Sequence, residues 1–281
     1  VDKTLWRSFK TAAWLGWQIE SNWTRPLLFA LYSIVKPLAL AGILVVLYAV
    51  VTGSNFSSPV FAYMYLGNAF YTYVGAVMTG MSHAIAEDRE RYETLRSIYV
   101  APVDVRWYLA GRGVAGFIAG SASVIITLAL GVVFLHVPIR FWTINWPLLF
   151  ITLAVGMAML AMMGLTLSGI VLLLPDNPWL GDGVAAAMYL FSGAVFPVNV
   201  LPRMVRPIGY ATPVTYWLEL VRRSLLGSVP GAIAFSRFSD SALLGVLLSL
   251  TVLLGVLALA AFRACDTVAR EYGYIDRTTG H

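Results

Sequence analysis

Long apolar runs, each of about 18 residues or more, recur through this 281-residue chain and dictate its surroundings. A helix of that length matches the hydrocarbon core of a bilayer, and a helix satisfies its own backbone polar groups where water is absent. Hydrophobic residues make up 59% of the chain and charged residues 12%, too little charge to cover a soluble globule of this size. The expected fold class is therefore an all-α membrane protein.

The spans are expected at about 33–53, 60–83, 105–135, 146–174, 182–197 and 242–262. Residues 1–32 form a cytoplasmic N-terminal segment. Leu5, Trp6, Phe9, Ala13 and Trp17 recur there at helical spacing, and Lys3, Arg7 and Lys10 fall mostly on another face. That pattern suits an amphipathic helix lying in the membrane interface. No cleaved-signal pattern of basic flank plus apolar run opens the sequence, so the first span is expected to be retained.

Lys36 leaves the first span open to two readings. A span beginning near Ser33 lets its ammonium snorkel to the membrane edge; one beginning at Leu27 makes it a cation lining a substrate path. Tyr63, Tyr65, Tyr71 and Tyr73 leave a similar choice in the second span, between packing and the lining of a path for an amphipathic substrate. Gly111, Gly113, Gly116 and Gly120 place small residues at three- and four-residue spacing in the third span, which permits close helix packing.

Between spans two and three lies the one dense charge cluster. Seven of the ten residues from Glu87 to Arg96 are charged, so this loop must face water or protein. It reads as a surface on which a separate soluble engine pushes. Residues 198–227, after the fifth span, mix prolines and arginines with apolar residues and hold no uninterrupted crossing length, which suggests a re-entrant helical hairpin. Glu219 and Arg222 stand three apart and are expected to pair, with Glu219 as a rival substrate contact. Residues 264–281 form a polar tail.

With six spans, both termini and the charged loop share one side. Thirteen of the 19 lysines and arginines fall on it, which puts both termini in the cytoplasm of a cell-membrane protein. The net charge of +5 then belongs to basic membrane edges beside anionic lipid, not to nucleic-acid binding.

The sequence also narrows the chemistry. None of the three lysines completes a phosphate-cradling G-x-x-x-x-G-K-[ST] loop, so any ATP must be bound by another chain. No metalloprotease, serine-elbow or paired-carboxylate pattern is present, and the lone Cys265 excludes a multi-cysteine metal site, so no catalytic or metal-ligating residue is assigned. His83 and His136, near opposite span ends, read as interfacial histidines.

Two stretches together carry a family resemblance. One runs from Ala86 to Arg96, followed by Ala101-Pro102 and Tyr108-Leu109-Ala110-Gly111-Arg112. The other comprises Leu190 to Pro197, Leu201-Pro202 and Thr212 to Arg222. Their order and spacing resemble the ABC-2 type permeases, the membrane subunits of ATP-driven exporters of drugs, lipo-oligosaccharides and polysaccharides. One departure is Tyr92, where many members carry a glycine ahead of the Thr-Leu.

The resemblance implies a homo- or heterodimer of six-span subunits with two ATP-binding cassette subunits on the cytoplasmic face, ATP and magnesium being bound by those partners. It implies a coupling loop at 84–104, with Glu87, Asp88, Arg89, Glu90, Arg91, Glu93, Leu95, Ile98 and Tyr99 engaging the ATPase. It also implies an external gate formed by the end of span five and the hairpin, including Phe191, Gly193, Phe196, Pro197, Pro202, Pro213, Tyr216, Glu219 and Arg222. The expected function is a non-catalytic export permease for an amphipathic, lipid-linked or drug-like cargo. A polysaccharide or glycolipid permease of the same family is the alternative, and a membrane-embedded enzyme or scaffold is the alternative of another class.

Overall fold

Polar caps set the starts of the long helices. The computed structural model describes residues 3–21, 35, 38–39, 41–50, 56, 58–101, 103–139, 141–177, 179–227, 235 and 238–274. Among them the elements are helical, with no strand. Helix α1 is Lys3–Ser21, α2 is Ala41–Val50 and α3 is Pro59–Tyr73. A π-helical turn, Val74–Thr79, carries α3 directly into α4, Gly80–Glu90. Then follow α5 Leu95–Val100, α6 Val105–Leu135, α7 Trp146–Leu173, α8 Leu180–Phe191, α9 Arg206–Ala211, α10 Pro213–Leu226 and α11 Asp240–Glu271.

Ser58, Asp104, Asn145 and Ser239 each accept a hydrogen bond from a backbone N–H in the first turn of α3, α6, α7 and α11. Those donors have no partner within the helix, so the caps fix where the apolar runs begin.

Among the described residues three helices, α6, α7 and α11, are long and apolar enough to cross a membrane. The helix from Pro59 to Glu90 is also continuous, so it extends beyond the second expected span, 60–83, into the charged cluster. Within the fifth expected span, 182–197, the helix stops before the end. α8 ends at Phe191, because Ser192 and Gly193 turn the chain and Gly193 adopts φ 76°, a conformation that a Cβ opposes. Its 12 residues cover only about 18 Å. Of the first expected span, Ala41–Val50 is helical, whereas Lys36 lies outside the described residues.

The glycines of α6 mark close approaches to two neighbours. A Cβ at Gly111 would stand 2.7 Å from the backbone nitrogen of Ala13 in α1, and one at Gly116 would strike the Ala76 carbonyl in the π turn. α1 is thus packed on α6 along one side, with Trp14 and Trp17 left exposed on the other. The main core gathers where α3, the π turn, α4, α6, α7 and α10 meet. Trp217 of α10 is buried there and donates from its indole nitrogen to the Thr152 carbonyl at 3.1 Å, in space left by Gly156.

Candidate functional site

The charged cluster divides at the end of α4. Asp88 and Arg89 are buried, at 2% and 3% exposure, whereas Glu90, Arg91, Tyr92, Glu93, Thr94 and Arg96 are exposed. A buried charge must be paired or hydrogen-bonded, and both of these are. Asp88 accepts from the Tyr108 hydroxyl at 2.7 Å and from Thr94 Oγ1 at 3.4 Å. Burial nevertheless pushes its carboxyl above the usual carboxylate range, against the pull of these hydroxyls and of Arg112. Arg89 donates from Nη2 to the carbonyls of Val171 and Leu172, at 3.2 and 3.0 Å. These belong to the last turn of α7, where helix carbonyls lack partners and the helix dipole favours a cation. Asp88 and Arg89 therefore face their own chain.

Beyond α4 the chain reverses within four residues. The Tyr92 and Thr94 amides donate to the carbonyls of Glu87 and Asp88, and Glu93 takes a left-handed φ of 51°. α5 follows and is seated through one face. Leu95 is buried, Ile98 is half-buried against the core, and Tyr99 donates its hydroxyl to Asp266 Oδ1 of α11 at 2.8 Å. Burial and the neighbouring Asp266 raise the Tyr99 phenol above its ordinary value. Arg270, paired with Asp266 at 3.1 Å, lies 4.8 Å over the Tyr99 ring. Glu87 reaches Arg112 of α6 at 3.2 Å. A six-residue helix is marginal alone, so these contacts hold α5 in place.

The second cluster centres on α10. Arg222 is 3% exposed and donates from Nε to the Tyr63 carbonyl at 3.0 Å, and from Nη2 to the carbonyls of Gly193 and Ala194 at 2.8 and 3.1 Å. Its guanidinium lies 3.6 Å over the Tyr63 ring. Gly67 leaves room for it, since a Cβ there would collide with both Arg222 and the Ala194 carbonyl. Arg222 thereby pins the turn after α8 to α3. The expected Glu219–Arg222 pair does not form. Glu219 pairs instead with Arg223, one helical turn on, at 3.2 Å, while the Arg222 donors go to the Tyr63, Gly193 and Ala194 carbonyls. Arg223 also reaches Asp240 at 2.9 Å and the carbonyls of Phe238 and Phe235.

The neighbouring 198–227 segment is tied by local bonds. Arg206 donates to the carbonyls of Asn199 and Leu201, Thr215 to that of Gly209, and Tyr216 to that of Tyr210. Pro213 starts α10 in the buried core, whereas Phe196 and Pro202 are exposed. The last carbonyl of α8, at Phe191, lies against Gly209 of α9.

The sequence profile of the ABC-2 type transporter family matches residues 8–226, well over half of the chain. The chain belongs to the ABC-2 type transporter family. No curated protein sequence matches it. The matched region contains the exposed α4–α5 turn, the Asp88 and Arg89 contacts and the whole Arg222 cluster. An ABC-2 membrane domain is an integral membrane, non-catalytic transporter component that works with an ABC ATPase subunit.

Within this ABC-2 permease the path tyrosines sit in the packing. Tyr71 donates to the Ala185 carbonyl at 2.6 Å, Tyr73 pairs with Ser121 at 2.9 Å and stacks on Phe117, and Tyr63 lies beneath Arg222. Sequence reasoning missed Tyr108, Asp266, Arg270 and Arg223. Asp266 and Arg270 carried a signal, an acid four residues ahead of a base on one helix face. Tyr108 stood in the family motif, but its contact with Asp88 carried no signal, because the two meet only once α4 and α6 are packed.

Proposed function

We propose that this chain is the permease subunit of an ABC exporter, moving an amphipathic, lipid-linked or drug-like cargo outward while two partner subunits hydrolyse magnesium-bound ATP. The observation that carries the reading is the exposed, charged α4–α5 turn in an ABC-2 membrane domain, seated on α11 through Tyr99 and Asp266. Alternating acidic and basic side chains at Glu90, Arg91 and Glu93 suit recognition of a charged cleft. The docking surface is then Glu90 to Thr94 with the outer face of α5, while Asp88 and Arg89 stiffen its base. Movement of the turn would reach the membrane helices through three links: Arg89 to α7, Glu87 to α6 and Tyr99 to α11.

Residues 60–83 of the Pro59–Glu90 helix supply a further crossing beside the three long apolar helices. With the segments around α2 and α8 it completes a six-span subunit that functions as a homo- or heterodimer in the cell membrane, both termini cytoplasmic. The Arg222 cluster and 198–227 form the external gate region in this reading.

Co-expression with the cognate ATPase subunit tests it. A stable complex is expected, with ATP hydrolysis that depends on this chain. Combined Glu90→Lys, Arg91→Glu and Glu93→Lys should leave the permease folded but abolish transport. Wild-type transport in that triple variant would overturn the docking assignment.

A further inference from the structure

A second basic feature lies beside α5, outside the turn assigned to the ATPase. A cleft of about 320 Å³ opens between the start of α6 and the polar end of α11, lined by Val103, Asp104, Arg106, Arg263, Asp266 and Arg270 among others. Two of its arginines are neutralised. Arg106 grips Asp104 through Nε at 3.0 Å and Nη2 at 2.6 Å, which holds the Asp104 carboxyl below its ordinary range, and Arg270 pairs with Asp266. Arg263 is exposed and makes no ion pair among the described residues. Three arginines facing two aspartates leave one positive charge, carried by Arg263.

The approach to the cleft is hydrocarbon. Val252, Val256 and Leu259 are exposed on α11 at four- and three-residue spacing, and Arg263 continues the same face one turn further. The last exposed apolar residue of this stripe thus stands about 6 Å along the axis from an unpaired guanidinium. This is the geometry of one lipid molecule, with chains along the stripe and an anionic headgroup at its end.

We propose that this cleft binds the net-negative headgroup of an anionic glycerophospholipid, with Arg263 as the principal ligand and Arg106 and Arg270 as its flanks. The acyl chains lie along Val252, Val256 and Leu259. Because Arg270 and Asp266 also hold Tyr99, the bound headgroup reaches the seat of α5, so leaflet charge sets how firmly α5 is held. Only the choice of the cytoplasmic leaflet rests on the orientation given under Proposed function; the binding itself does not.

Purified full-length chain in neutral detergent, titrated with phosphatidylglycerol, phosphatidylcholine or inorganic phosphate and read by native mass spectrometry, tests the site without regard to orientation or ATPase. Wild type should retain phosphatidylglycerol about fivefold more tightly than phosphatidylcholine, the effect of one basic residue at an anionic headgroup. Arg263→Gln should bring that ratio to one. Arg263→Lys and Arg203→Gln, the latter an exposed arginine far along the chain, should keep it. Unchanged preference in Arg263→Gln overturns the proposal. Equal protection by inorganic phosphate makes this a free-phosphate site and overturns the lipid assignment. Loss of the preference when the ATPase subunit is bound makes the cleft a protein interface and overturns it too. Lipid-free unfolding of Arg263→Gln at the wild-type temperature ties any lost preference to the site.

Discussion

Tyr99 donates its hydroxyl to Asp266 Oδ1 across 2.8 Å, so a six-residue helix beside the charged turn is joined to the last apolar helix by a hydrogen bond in addition to the Arg270 guanidinium over the Tyr99 ring. The pair is half-buried, and Asp266 shares its other oxygen with Arg270. Tyr99→Phe removes only the hydroxyl. The expected cost to global stability is about 1 kcal/mol, the net worth of one hydrogen bond. Coupling should suffer more, because α5 loses its polar link to α11. Permease-dependent ATP hydrolysis and transport, measured in the complex beside the unfolding temperature, check this. Full transport in Tyr99→Phe would deny the pair a role in transmission.

Asp88 gives a pH signature. Its folded-state carboxyl titrates above the ordinary value of 3.8, chiefly because it is buried. Well below the ordinary value of 3.8 the group is protonated in both states and contributes no pH dependence. As pH rises, the unfolded chain ionises first while the folded chain keeps its proton. The contribution of this group to stability therefore declines until pH passes the folded value. Asp88→Asn keeps an acceptor for Tyr108 and cannot ionise. The expected result is a shallower fall in unfolding temperature as pH rises above the ordinary value of 3.8 than in wild type. Parallel profiles would show that Asp88 does not titrate in this window.

The long helices were legible because hydropathy and helix geometry agree there. Spans expected at 105–135 and 146–174 coincide with Val105–Leu135 and Trp146–Leu173 to within a residue. Hydropathy reports where lipid ends, not where a helix ends. Thus α11 runs past the expected 262 to Glu271, supported by the Asp266–Arg270 pair, and α4 carries the second helix on to Glu90. The direction of a charged side chain was not legible. Asp88 and Arg89 stand amid exposed charges, yet they turn inward to Tyr108 and to the end of α7. These partners lie 20 and more than 80 residues away.

Arg222 provides a packing test. It satisfies three carbonyls from two separate parts of the chain, and two of these cap the turn after α8. Arg222→Met would leave those carbonyls without a donor in a dry site, at about 1–3 kcal/mol each. Arg222→Lys retains charge but loses the planar fork that reaches both sets. Both variants should lower the unfolding temperature sharply, the methionine variant more. An unfolding temperature for Arg222→Met within a degree or two of wild type would remove Arg222 as the pin between α3 and α8.

Glu219 and Arg223 form one ion pair with unequal consequences for its two members. Glu219 is 4% exposed, and Arg223 is the partner it pairs with. Arg223 has three further acceptors in Asp240, Phe238 and Phe235. Glu219→Gln therefore leaves Arg223 well paired and removes a buried charge, so its stability cost should stay under about 1 kcal/mol. Arg223→Gln strands the buried carboxylate and frees the start of α11 from α10. The expected loss is about 3–5 kcal/mol, the range for breaking a buried pair from one side. In Glu219→Gln/Arg223→Gln the stranded charge is gone, so the double variant should be more stable than Arg223→Gln alone. Unfolding in detergent for the three variants measures this order directly. Equal losses for the two single variants would mean that Glu219 draws its stabilisation from a group other than Arg223.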